Sequence, residues 1–184
     1  ARVAAMMSGQ FDFTASFPAA FIPQARANPN LVVEKIDSNF QLLYFGYKTT
    51  RPMVADARVR EAMNIAINRA QIVKGVLLGN ADPSYGYTAP NALDHNPKAA
   101  TIIKEDVERA KKLLDEAGWV PGPDGIRVKD GLRLEPKVYV TGGGNSVKVG
   151  EAIQGFLRRV GIDWKIQVWD STIAPVQMGE QDYE

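Results

Sequence analysis

The chain has 184 residues, 45% of them hydrophobic and 23% charged, long enough to bury a core and too apolar to stay disordered. Lys and Arg total 22 against 21 Asp and Glu, so no net field draws the chain to nucleic acid or to an anionic membrane, and no nucleic-acid partner is expected. Cysteine is absent and histidine occurs once, as His95; this excludes disulfides, Cys-ligated zinc, iron–sulfur clusters, thiol nucleophiles and multi-histidine metal centres.

Residues Ala1 to Met7 show neither an initiator methionine nor a basic-then-apolar leader, and no run approaches the roughly 20 apolar residues that span a bilayer. The chain therefore reads as a soluble piece that starts mid-element, and Gly179 to Glu184 reads as continuing. The first fifty residues look extended and apolar. Phe11 to Thr14 suggests a short strand, and Pro18 opens a helix through about Arg26, because proline is tolerated in a first helical turn. Two strands, Leu31 to Ile36 and Phe40 to Tyr47, are predicted around the turn cluster Asp37, Ser38 and Asn39.

From Asp56, a candidate N-cap, the period changes. Val59, Ala62, Met63 and Ala66 fall on one helical face, and a second short helix with the stripe Ile72, Val73, Val76 and Leu77 is closed by Gly79. Residues 80 to about 104 are irregular and proline-rich, a length of loop that in compact domains is often functional; His95 reads as a solvated residue within it. The clearest helix follows, capped by Asp106, with Val107, Ala110, Leu113, Leu114 and Ala117 apolar, Gly118 closing it and Trp119 folding back. Asp124-Gly125 and Asp130-Gly131 suggest a small hairpin. A strand from Leu134 to Thr141, a loop from Gly142 to Ser146, a helix with the stripe Val149, Ile153, Phe156, Leu157 and Val160, and a strand in which Trp164, Ile166 and Val168 alternate with polar residues make a βαβ unit. The predicted fold class is α/β, or α+β with a mixed sheet.

The glycine loop at 142–146 lacks both the ending of a phosphate-binding P-loop and the spacing of a dinucleotide site, so no nucleotide or other cofactor is expected, but its place after a strand suits a ligand cleft. No Gly-x-Ser-x-Gly, cysteine or paired histidine offers a nucleophile, so no catalytic residue is assigned. Glu105, Asp106, Glu108, Asp115 and Glu116 read as the solvated face of one helix. Asp56, Arg58, Arg60, Glu61 and Arg69 read as local ion pairs plus a cap. Tyr44, Tyr47, Tyr85 and Tyr87 combine core-sized rings with turn positions suited to a ligand wall.

Several motifs, taken in order, resemble bacterial extracellular solute-binding proteins of family 5, the receptors of oligopeptide, dipeptide and nickel importers. They are Ser8 to Phe13; Leu43 to Thr49; Asp56 to Ala62 followed by Ala66 to Arg69; Tyr85 to Pro90; Ala110 to Trp119; Ala152 to Gln154; and Val160 to Ile162. Lys48 stands where the family's aromatic strand usually carries asparagine. The resemblance implies an incomplete lobe of the type II periplasmic-binding-protein kind, with residues 1–40 a connecting or hinge region from the first lobe and 41–184 a truncated C-terminal lobe. It further implies a non-catalytic ABC-importer receptor, periplasmic or extracellular, with the full-length protein either free or lipid-anchored. Its partners would be a small solute such as a peptide, membrane permease subunits and the missing N-terminal lobe. Within that reading Tyr85 and Tyr87 supply apolar walls, Thr141, Asn145 and Ser146 supply hydrogen bonds, and Tyr44, Tyr47 and Trp169 are further candidate ligand-binding residues. The helix at 56–69 is assigned to scaffold. A protein-interaction module and a small hydrolase are the rival readings.

Overall fold

The computed structural model describes residues 2–15, 17–36, 42–86, 88–89, 92–93, 95–98, 103–142, 145–170 and 172. Helix α1 spans Arg2–Met7 where extended chain was expected; its alanines and methionines are strong helix formers, and local propensity decides. Phe11 to Thr14 is irregular rather than a strand. Pro18 caps a 3-10 turn, Ala19–Phe21, that runs into α2, Ile22–Ala27, in keeping with the first-turn proline. Neither Leu31 to Ile36 nor residues 42–47 forms a strand, while the turn cluster, Phe40 and Gln41 lie outside the described residues. Val32 is 83% and Leu43 63% exposed. High β-propensity makes a strand only when a neighbour completes the ladder, and no described strand lies alongside.

Helix α3, Ala57–Ile65, starts where Asp56 accepts a hydrogen bond from the Arg58 amide at 2.8 Å, and its stripe of Val59, Ala62, Met63 and Ala66 is fully buried. The Arg58 guanidinium also donates to Asp56, and that hydrogen bond, first among several causes, holds the Asp56 carboxyl below its ordinary pKa. A group depressed in this way stabilises the folded state above its unfolded pKa and loses that contribution as pH falls through the folded value. Asp56→Ala is therefore expected to cost about 1 kcal/mol near neutrality. In urea melts across a pH series, the gap between the variant and the natural chain should close below the usual carboxylate range.

Helix α4, Arg69–Gly75, is capped by Asn68 and ends before Gly79; Leu78 and Gly79 both adopt positive φ, 51° and 75°. The left-handed residues thus shape the turn after the helix instead of its last residue. Helix α5, Val107–Glu116, is capped by Asp106. Gly118 has φ 85°, and the Trp119 amide reaches back to the Leu114 carbonyl at 2.9 Å, so Trp119 does fold back, 2% exposed. Each acidic residue of this stretch is exposed, and each has a local partner: Glu105 with Arg159, Glu108 with Lys111, Asp115 with Arg127, Glu116 with Lys112, and Asp106 as the cap.

The expected hairpin is a three-stranded antiparallel sheet of β1 (Val120–Pro121), β2 (Arg127–Lys129) and β3 (Leu132–Arg133), because each Asp-Gly turn closes its own strand pair. Leu134 bonds to the Arg127 carbonyl and is drawn into that sheet, so β4 starts later than expected and spans Lys137–Thr141. Helix α6, Ser146–Arg158, crosses over to β5, Lys165–Trp169. Strands β4 and β5 pair in parallel from Lys137↔Lys165 to Thr141↔Trp169, which is the predicted βαβ unit. Val149, Ile153 and Leu157 of α6 join Met63, Leu114 and Trp164 in one core. The alternation predicted for β5 fades at its end, where Val168 is 55% exposed.

Candidate functional site

Successive residues of a strand point to opposite faces, and in a parallel pair residues in register share a face. Gly150 of α6 sits on the face carrying Val140 and Ile166; a Cβ there would lie 3.2 Å from Val140 and 3.7 Å from Ile166. Tyr139, Thr141, Gln167 and Trp169 therefore line the other face, away from α6. There the Tyr139 and Trp169 rings stack at 3.8 Å with 24° between planes, and Thr141 is in register with Trp169. The Gly142 amide extends the ladder to the Trp169 carbonyl at 2.6 Å. Beyond it the chain turns into α6 at Asn145, whose side chain makes no capping bond, and Ser146.

The structure thus brings four predicted site residues, Thr141, Asn145, Ser146 and Trp169, to the carboxyl end of a parallel strand pair, the position where open α/β sheets place ligands. Tyr139 belongs with them, although spacing alone does not select it. Register pairs Tyr139 with Gln167 and Thr141 with Trp169, so the stack is a diagonal contact across the strand pair that only the structure reveals.

Tyr47 and Tyr85 form a second group. Tyr47 packs edge-on to Phe45 at 5.5 Å, and Phe45 packs edge-on to Trp164 at 5.0 Å, so this group is anchored at the amino end of β5. Trp164 and Trp169 are five residues apart, about 16 Å along a strand. The Arg69 guanidinium lies over the Tyr85 ring, 5.5 Å from its centre. Burial raises the Tyr47 phenol well above its ordinary pKa, against the opposing pull of Arg60 and Arg69. Tyr44 is 67% exposed. Tyr87 lies outside the described residues. His95, expected to be solvated, is half-buried, and its Nδ1 is enclosed without a hydrogen-bond partner among the described residues.

One open groove of about 590 Å³ follows the outer flank of α6 and β5, between Glu151, Gln154, Arg158, Lys165 and Gln167. No group of three or more potential metal-ligating side chains occurs among the described residues.

The model of the bacterial extracellular solute-binding proteins, family 5 (middle region), matches residues 1–184. The chain belongs to this family. The oligopeptide-binding protein AppA of Bacillus subtilis is 28% identical over 191 residues, a match covering 100% of this chain and 34% of AppA. The nickel-binding periplasmic protein of Escherichia coli is 28% identical over 70% of this chain and 25% of its own length. The structure of AppA in complex with a nonapeptide superposes with a TM-score of 0.75 at 26% identity, covering 96% of this chain and 35% of AppA. A Pseudoalteromonas dipeptide-binding protein in complex with Met-Leu shares the fold at a TM-score of 0.82 and 23% identity, over 98% of this chain and 34% of its own. The family 5 chain spans about a third of the length of AppA and of the dipeptide-binding protein, and its fold is that of part of a type II periplasmic binding protein.

Proposed function

We propose that this family 5 chain is part of the substrate-binding component of an ABC importer. It captures peptides or similar small solutes outside the cytoplasmic membrane, delivers them to permease subunits, and performs no catalysis. Residues 41–184 form most of one lobe, residues 1–40 connect it to the other lobe, and ligand is held between lobes that close on a hinge. The observation that carries the reading is the family match along the whole chain. The stacked Tyr139 and Trp169 rings beside Thr141 at the carboxyl end of β4 and β5 provide a wall for it. The flat aromatic pair offers apolar area at low entropic cost, and Thr141, Asn145 and Ser146 provide hydrogen bonds around it. The solutes in the two superposed complexes, a nonapeptide and Met-Leu, are both peptides, while the Escherichia coli relative is named for nickel.

The test is calorimetric titration of the full-length protein with a pool of di- to pentapeptides. Binding is expected, and Trp169→Ala should weaken it by about tenfold, the equivalent of about 1.4 kcal/mol. The melting temperature should fall by only a few degrees, since the ring is half-buried. Unchanged affinity in the variant would remove Trp169 from the site, and no binding of any peptide would redirect the screen to nickel chelates and oligosaccharides.

A further inference from the structure

Two Asp-Gly pairs, Asp124-Gly125 and Asp130-Gly131, form the turns of the small sheet. Along the chain they are equivalent, and all four residues are exposed. An Asp-Gly pair carries a latent reaction. The backbone nitrogen after the aspartate can attack the side-chain carboxyl carbon, and glycine has no Cβ to shield that nitrogen. The reaction needs a carboxyl free to turn and an amide free of hydrogen bonds.

The fold withholds both at the first pair. The Asp124 carboxylate accepts from the Arg133 guanidinium at 2.7 and 3.4 Å and from the Ile126 amide at 3.2 Å. The Gly125 amide donates to the Gly122 carbonyl at 3.0 Å. Neither restraint exists at the second pair: among the described residues no hydrogen bond or ion pair engages the Asp130 carboxyl, and the Gly131 amide has no acceptor. Lys129 and Leu132 close the loop between β2 and β3, so Asp130 and Gly131 project beyond the ladder. A Cβ added at Gly131 would meet nothing within 4 Å, so nothing crowds the turn. The neighbouring cation, Lys129, is turned away, its Nζ donating to the Ala117 carbonyl at 2.8 Å.

We propose that Asp130 is a site of spontaneous succinimide formation and isomerisation to isoaspartate in the folded protein, and that Arg133 and the tied Gly125 amide protect Asp124 from the same reaction. The Gly131 nitrogen bonds to Cγ of the neutral Asp130 carboxyl, the Cγ–OH bond breaks, and the hydroxyl leaves with the amide proton as water. The cyclic imide then takes up water. Opening at Cγ returns aspartate, whereas opening at the backbone carbonyl leaves the chain running through Cγ as isoaspartate, with an additional backbone carbon. Water is the only co-reactant. The added carbon lengthens the loop whose length sets the register of β2 with β3, so modification is expected to loosen that edge of the small sheet.

The full-length protein is incubated at physiological temperature in mildly acidic buffer, with and without urea. Both turn peptides are then followed by chromatography and by an aspartate-specific protease, which does not cut at isoaspartate. In the folded protein, isoaspartate at 130 is expected to accumulate at least about tenfold faster than at 124, a barrier difference of about 1.4 kcal/mol. In urea the two rates should converge. Arg133→Gln, which frees the Asp124 carboxyl, should raise the product at 124 and leave that at 130 unchanged; no rise at 124 overturns the protection by Arg133. Equal rates in the folded protein, a faster site at 124, or no product at either site overturns the proposal. A difference of the same size in urea overturns it too, because flanking residues and not the fold would then set it.

Discussion

Arg127→Ala is expected to be the most damaging single change in the chain, costing about 3 to 5 kcal/mol, as does removal of one partner from a buried charged network. Arg127 is 4% exposed although it begins a short surface strand. Its Nε donates to the Val160 carbonyl at 2.8 Å, and its other nitrogens reach the Trp119 carbonyl at 2.5 Å, the Lys111 carbonyl at 3.2 Å and Asp115 at 2.5 Å. One guanidinium thus ties the last turn of α5, the turn after it, and the end of α6 to the small sheet. Truncation strands several acceptors at once, each carrying its own desolvation cost.

Asp115 is 56% exposed at its side chain, so water screens its half of the pair. Asp115→Asn should cost only about 1 kcal/mol. Urea denaturation of both variants checks this. Comparable losses would mean that the ion pair, and not the carbonyl network, holds the junction.

Gly161→Ala is expected to cost about 2 to 5 kcal/mol, the sum of a left-handed backbone penalty and overpacking. Gly161 has φ 86°, and a Cβ there would lie 2.7 Å from Arg127 Cγ and 2.8 Å from the Gly125 carbonyl oxygen. The carbonyl belongs to a backbone that is itself tied, since the adjoining Arg127 amide donates to the Gly161 oxygen at 2.9 Å. Relief therefore requires moving the small sheet away from α6. Gly155, on the outside of α6, serves as the control, since a Cβ added there would meet nothing within 4 Å. Gly155→Ala should be neutral or stabilising by up to about 1 kcal/mol, because alanine is the better helix former. Because Gly161 and Arg127 touch, their effects should not add, and a double variant losing less than the sum of the singles would confirm that they guard one junction.

Local sequence is a good guide wherever the information needed is local. The stripe on α3, the caps Asp56 and Asp106, the reversal at Gly118 and the βαβ unit from β4 to β5 each depend on residues within one or two turns of each other, and spacing specifies them. The strands expected at Leu31 to Ile36 and around Tyr44 do not form among the described residues, because a strand exists only with a partner. The family, too, is legible, since its motifs are short and ordered along the chain.

What only the tertiary structure decided was which charges and rings meet. Arg127 looks in sequence like an ordinary surface-strand arginine, and its burial comes from carbonyls 8, 16 and 33 residues away. Tyr139 becomes part of a candidate ligand wall through a parallel register set by a helix crossover. Arg58, Arg60 and Arg69 are alike on paper, yet among the described residues Arg58 pairs with a carboxylate, while Arg60 donates to backbone carbonyls and Arg69 lies over the Tyr85 ring. Hydrophobic period and capping are encoded by near neighbours and can be read along the chain. Burial of a charge and stacking of rings are set by distances across the core, which no spacing along the chain contains.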